Sequence, residues 1–158
     1  MQQVSLRVGL VVVGGLVTAA LLGAHASEIW GGLVPCALCL VGRWPYRVAI
    51  GLAVLGVLVP RLARWCAAGV VVAMLGTVAV GVVHVGVEAK LWPSPLPGCV
   101  ARLMPGGALP ARPAQPCDDP TYLISGLPVS MAAMSLIFSL GSAAAMAAVM
   151  VGNRRGQG

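Results

Sequence analysis

Acidic residues are nearly missing from this chain: Glu28, Glu88, Asp118 and Asp119 are the only four in 158 residues. Charged residues of both signs make up 9%, against about a quarter in an ordinary soluble domain. That shortage excludes a conventional water-soluble globule. Disorder is excluded as well, because disordered segments need low hydrophobicity and here 59% of residues are hydrophobic. Aromatics are equally scarce at 4%, with a single Phe and two Tyr. What remains is rich in Val, Ala, Leu and Gly, a composition suited to helices packed closely in lipid.

The apolar residues gather into runs. One extends over residues 6–26, broken only by Arg7 and His25; others cover roughly 37–59, 66–87 and 127–152. Each has an uncharged middle about as long as a bilayer core requires. Strand alternation is absent and lipid demands an internally satisfied backbone, so helix is the expected state. The expected fold is an all-α, integral membrane four-helix bundle in a single domain over residues 1–158. Pro60 and Pro128 sit at run ends, whereas Pro45 falls inside the second run, where it kinks the helix or delays its start.

With four spans, both termini share a side with the connection between the second and third. That side carries Arg7, Arg61, Arg64, Arg154 and Arg155, while every acidic residue lies on the other with Lys90, Arg102 and Arg112. The positive-inside rule then predicts cytoplasmic termini. The net charge of +6 is split between membrane ends, which argues against a nucleic-acid partner. Residues 1–26 also resemble a signal peptide, with Ala24-His25-Ala26 before Ser27. Their apolar stretch is long for a signal core, so a retained first helix is expected.

Four of the five cysteines fall on the outer side: Cys36 and Cys39 before and within the second run, Cys99 and Cys117 in the long connection over residues 88–126. Cys66, on the other side, reads as a packed or reduced thiol. In Pro35-Cys36-Ala37-Leu38-Cys39 the helix is expected to begin near the pair, where its positive end favours a thiolate. Arg43, four residues after Cys39, shares its face and adds a cation. An arginine within a span is costly and marks a candidate site, although snorkelling to the interface is the plain alternative. Arg47 is placed one turn deeper on that face.

The long connection holds eight of the twelve prolines and is expected to be extended and mobile. A Cys99–Cys117 bond within it would close a loop worth about 3 kcal/mol in the chain-entropy treatment. It reads either as a staple or as a mobile, exposed disulfide fit for exchange with a partner's thiols. Four thiolates could also hold zinc, but an oxidising compartment favours disulfides and the second pair lacks Cys-x-x-Cys spacing. No metal is expected. Trp30, Trp65 and Trp92 read as interface anchors.

These residues together resemble the bacterial disulfide bond formation protein B (DsbB) family. The likeness covers essentially the whole chain. It is strongest at Pro35 to Cys39 with Arg43, at Trp92-Pro93-Ser94-Pro95 leading to Cys99, at His84 to Glu88, and at Cys117-Asp118-Asp119-Pro120. Gly42 departs from the polar residue that often precedes the arginine, and the Cys99–Cys117 loop is short, leaving little room for the membrane-lying helix of other members. The resemblance implies a quinone-coupled thiol oxidase that reoxidises a DsbA-like periplasmic partner of thioredoxin fold. Cys99 and Cys117 would form the disulfide that the partner attacks, and Cys117 would pass electrons to Cys36 and Cys39. Cys39, as a thiolate beside Arg43, would then meet ubiquinone or menaquinone, with His84 and Trp44 as further candidate contacts. Glu88, Asp118 and Asp119 would shape the loop's electrostatics near the partner. A monomer is expected.

Two other readings stand beside it. A vitamin K epoxide reductase-like enzyme also combines helices with Cys-x-x-Cys, but usually carries its loop pair first in sequence. A transporter or assembly protein with stapled loops would need no chemistry from the cysteines.

Overall fold

The computed structural model describes residues 2–96, 99, 116–122 and 129–155. Among these residues it contains no strand. It has four α-helices, each long and apolar enough to cross a membrane. They are α1 (Gln2–Ile29), α2 (Ala37–Leu58), α3 (Ala63–Glu88) and α4 (Met131–Arg155), with a short 3-10 turn at Pro60–Leu62 between α2 and α3. Residues 127 and 128, expected at the start of the fourth span, lie outside the described residues, as do Arg102 and Arg112.

Each helix packs on its neighbours in chain order and α1 closes the ring against α4, while the α1–α3 diagonal is slight. The centre is filled by Leu10, Val17, Val70, Met74 and Met146 together with Ala49, Ala53, Ala67 and Ala143. The small residues let helix backbones approach, which is how helices associate when lipid offers no hydrophobic penalty. Tyr46 of α2 carries the polar contact to α4: its hydroxyl lies 2.9 Å from Ser139 Oγ and 3.2 Å from Ser135 Oγ, and its ring stacks on Phe138 at 6.2 Å. Side chains such as Val12, Leu22, Val54, Val72 and Ile137 point outward and are exposed. A bundle with apolar side chains on its outer face needs an apolar surrounding.

α1 continues through the Ala24-His25-Ala26 stretch to Ile29 and supplies Leu6, Leu10, Val13 and Val17 to the core. Pro45 sits inside α2, which begins at Ala37 and is not delayed. The missing Pro45 N–H leaves one carbonyl a turn earlier without its helical donor. At the far end of the bundle from Cys36, Arg7 donates to the Val57 carbonyl at 2.9 Å and so satisfies one of the last acceptors of α2.

Candidate functional site

The seven-residue connection between α1 and α2 sets up the site. Gly32 takes φ +65°, a conformation that side chains disfavour, and Leu33 N–H reaches back to the Ser27 carbonyl at 3.3 Å. The turn brings Glu28, at the end of α1, onto the second turn of α2, where its Oε1 accepts from the Arg43 guanidinium. Cys36 caps α2 in an extended conformation, its Sγ accepting from Cys39 N–H at 3.2 Å. The Cys36 and Cys39 sulfurs are 2.7 Å apart, longer than the roughly 2.05 Å of a disulfide. The two cysteines are unbonded and stand close enough to pair with each other.

α3 contributes from its last turns. His84 Nε2 lies 3.5 Å from Cys36 Sγ and 3.9 Å from Glu88 Oε1. Ser130 donates to the other Glu88 oxygen at 2.5 Å and its Oγ accepts from Ala133 N–H, so one hydroxyl caps α4 and fixes the carboxylate. The hydrogen bond from the Cys39 thiol, opposed by burial and reinforced by His84 and by Cys39 N–H, draws the Cys36 thiol down to about 4.

The sequence places the thiolate charge at Cys39 because of Arg43. In the fold, Cys36 Sγ accepts from Cys39 N–H and stands beside His84 Nε2, while Arg43 is paired with Glu28.

A cavity of about 390 Å³ opens between these groups, within the size range of small-molecule sites. Cys36, Cys39, Arg43 and His84 border it, with Glu28, Glu88, Asp119 and Thr121 as further polar edges. Leu21, Leu33, Leu38, Val80 and Phe138 make much of its wall. Trp44, a candidate contact, does not border this cavity. Residues 39, 42, 43 and 46 form the inward stripe of α2, and Trp44 lies about 100° round the helix from Arg43. It is 64% exposed, with the Arg47 guanidinium 5.4 Å above its ring. Arg47, one turn beyond the buried Arg43, is exposed.

Cys99 and Cys117 form a disulfide, with Cα atoms 5.0 Å apart. This bond, which the sequence leaves open between a staple and an exposed exchange partner, is not exposed. Both half-cystines are buried with Cys36, Leu38 and Val87 in one apolar cluster, against which Cys39 and Leu96 also pack. Trp92 holds the connecting segment onto α3: its Nε1 donates to the Val83 carbonyl at 3.1 Å, and its ring lies where a Cβ at Gly86 would collide. Trp30 and Trp65, in contrast, stand exposed at helix ends. Cys66 is a buried free thiol, about 27 Å along α3 from His84.

The family model described as disulfide bond formation protein DsbB matches residues 6–149. The chain belongs to the DsbB family. No curated protein and no solved structure matches it. DsbB membership carries disulfide bond formation as the general function, and with it the chemistry of a disulfide oxidoreductase. It fits a multi-pass membrane protein with four spans. The short membrane-lying helix of other DsbB proteins would fall largely on residues 100–115, outside the described residues.

Three participants escaped the sequence reading. Glu28 was an outer acid with no partner, and only the α1–α2 turn shows what it meets. Ser130 carried no signal beyond its place before an apolar run. Tyr46 followed the Arg43 position by three residues, a spacing that marks the same helix face and was available from the start.

Proposed function

We propose that this protein is a quinone-coupled thiol oxidase that reoxidises a soluble periplasmic dithiol oxidase of the DsbA type. One observation carries the reading: the Cys36–Cys39 pair stands between a second disulfide and a ligand-sized cavity. On one side it shares an apolar cluster with Cys99–Cys117; on the other both of its sulfurs border the cavity with Arg43 and His84. The family is generally linked to quinones, and the apolar walls with two cationic or hydrogen-bonding edges suit a quinone ring.

The exchange steps balance as follows. A partner thiolate attacks Cys99 Sγ, forming a mixed disulfide and releasing Cys117 as thiolate. Cys117 attacks Cys36 of an oxidised Cys36–Cys39 pair, releasing Cys39. The partner's second thiol then resolves its bond to Cys99 and leaves as a disulfide. Cys99 attacks Cys117, which restores Cys99–Cys117 and leaves Cys36 and Cys39 as a dithiol. Quinone accepts two electrons and two protons from that dithiol, giving quinol and the Cys36–Cys39 disulfide. In this scheme Arg43 and His84 flank the acceptor, and His84 with Glu88 offers a place for a released proton. Cys99 is buried, so the partner's attack requires the segment held by Trp92 to lift. The cysteine-bearing end then faces the periplasm and both termini the cytoplasm, as the arginine distribution favours.

Anaerobic mixing of the purified protein with quinone and a reduced dithiol protein tests this. Quinol should form with wild type and not with Cys36→Ser or Cys39→Ser. Equal quinol formation by those variants, or none by wild type, would overturn the proposal.

A further inference from the structure

Three soft or borderline donors meet at one point of the bundle. Cys36 Sγ, Cys39 Sγ and a His84 ring nitrogen all lie within 4.8 Å of one another. They come from the first turn of α2 and the last turns of α3, so the site is made by packing, not by a single motif.

Their spacing can be set against tetrahedral zinc. Metal bonds of about 2.3 Å to sulfur and 2.05 Å to nitrogen put S and N about 3.6 Å apart, and two sulfurs about 3.8 Å apart. Cys36 Sγ and His84 Nε2 are already 3.5 Å apart. The two sulfurs, at 2.7 Å, need to separate by about 1 Å, a modest side-chain rotation at a helix start. Glu88 Oε1, 3.9 Å from His84 Nε2, lies outside the three-donor cluster and would have to turn toward the sulfurs to fill a fourth position, while Ser130 holds its other oxygen. A hydrogen bond of this kind orients a carboxylate.

We propose that the reduced Cys36–Cys39 pair and His84 form a binding site for one zinc ion, with Glu88 as the neighbouring carboxylate for the fourth position. The exchange moves no electron: both sulfurs bind as thiolates, and any proton still on the pair is released as Zn²⁺ is taken up. Both sulfurs are then committed to the metal, so bound zinc keeps the pair reduced and opposes closure of the Cys36–Cys39 disulfide. This set differs from a four-cysteine site, since Cys99 and Cys117 are bonded to each other. Binding requires only two free thiols and does not rest on quinone or partner chemistry.

Cobalt(II) titration of the full-length protein in detergent provides the test, in a Cys66→Ser/Cys99→Ser/Cys117→Ser background where only Cys36 and Cys39 remain. The reduced protein should take up one equivalent, with thiolate-to-cobalt charge-transfer absorption and tetrahedral visible bands that zinc abolishes. The same protein with its remaining pair oxidised should show none. His84→Ala and His84→Gln should each weaken binding by at least about 100-fold, and Glu88→Gln by about tenfold with altered visible bands. Absence of the bands in reduced protein with two titratable thiols would overturn the proposal. So would equal binding by the oxidised protein, or unchanged affinity and spectrum in both His84 variants.

Discussion

The Arg43 guanidinium is held by the Glu28 carboxylate, a residue of a different helix fifteen positions earlier in the chain. Gly42 beside the arginine offers no side chain, and the counter-charge comes from the end of α1. The pair is mostly buried, at 11% and 22% side-chain exposure, so each charge depends on the other for compensation. Arg43→Ala should destabilise the bundle by about 2 kcal/mol, below the range for fully buried pairs because solvent still reaches Glu28. Arg43→Ala/Glu28→Gln should recover part of that loss. A denaturation cycle in detergent measures the coupling; additive single effects would show that the ion pair contributes nothing. In activity assays, Arg43→Ala should raise the quinone KM more than it slows exchange with the partner.

Cys36 is the thiol whose ionisation the fold favours most visibly. Its pKa is drawn down to about 4, chiefly by the hydrogen bond from Cys39. A depressed thiol is thiolate above that value and becomes protonated as pH falls through it, whereas an ordinary cysteine changes near pH 8.5. In reduced protein the thiolate absorbance should therefore persist through pH 6. Cys39→Ala removes the main donor and should move the transition upward by more than one pH unit. Cys39→Ser keeps a donor and should move it less. Identical midpoints in the two variants would remove the Cys39 hydrogen bond as the cause.

Much of the architecture was legible before any coordinates, for a definite physical reason. Lipid forces long apolar segments into helices, so the runs at residues 6–26, 37–59 and 66–87 announced α1, α2 and α3. Boundaries were less legible. α1 runs past Ala26 because Ser27 and Glu28 still find partners at the helix end. The proximity of Cys36, Cys39 and Arg43 followed from spacing along one helix. Contacts between elements did not: His84 with Cys36, Glu28 with Arg43 and Ser130 with Glu88 depend on how helices are rotated about their axes. The same rotation leaves Trp44 and Arg47 exposed. Proline content suggested an exposed disulfide because composition shows the connection's lack of regular structure, not what the sulfurs pack against.

The cysteines divide by position. Cys36→Ser, Cys39→Ser, Cys99→Ser and Cys117→Ser should each abolish oxidation of a dithiol partner, because every thiol is consumed in one of the exchange steps. Cys66→Ser should retain activity within about twofold. Cys66 is buried and lies about 27 Å from His84 along α3, too far to exchange with the other four. Steady-state partner oxidation by the five variants checks this, with membrane levels measured in parallel. Loss of activity in Cys66→Ser at normal levels would place that thiol in the reaction.

Access to Cys99 is gated by packing. The disulfide packs with Leu38, Val87 and Leu96, the last in the segment that Trp92 pins to α3 through Val83 and Gly86. Trp92→Ala removes both the ring contact and the hydrogen bond, together worth about 2 kcal/mol. If exchange proceeds from a lifted segment, the open population should rise correspondingly, and a small dithiol should reduce Cys99–Cys117 on the order of tenfold faster. Gly86→Ala should act in the same direction, since its methyl group displaces the Trp92 ring without touching any sulfur. Thiol release followed under limiting dithiothreitol gives both rates. Unchanged rates in both variants would mean that the sulfurs react without the segment leaving α3, and that Trp92 serves only as an anchor.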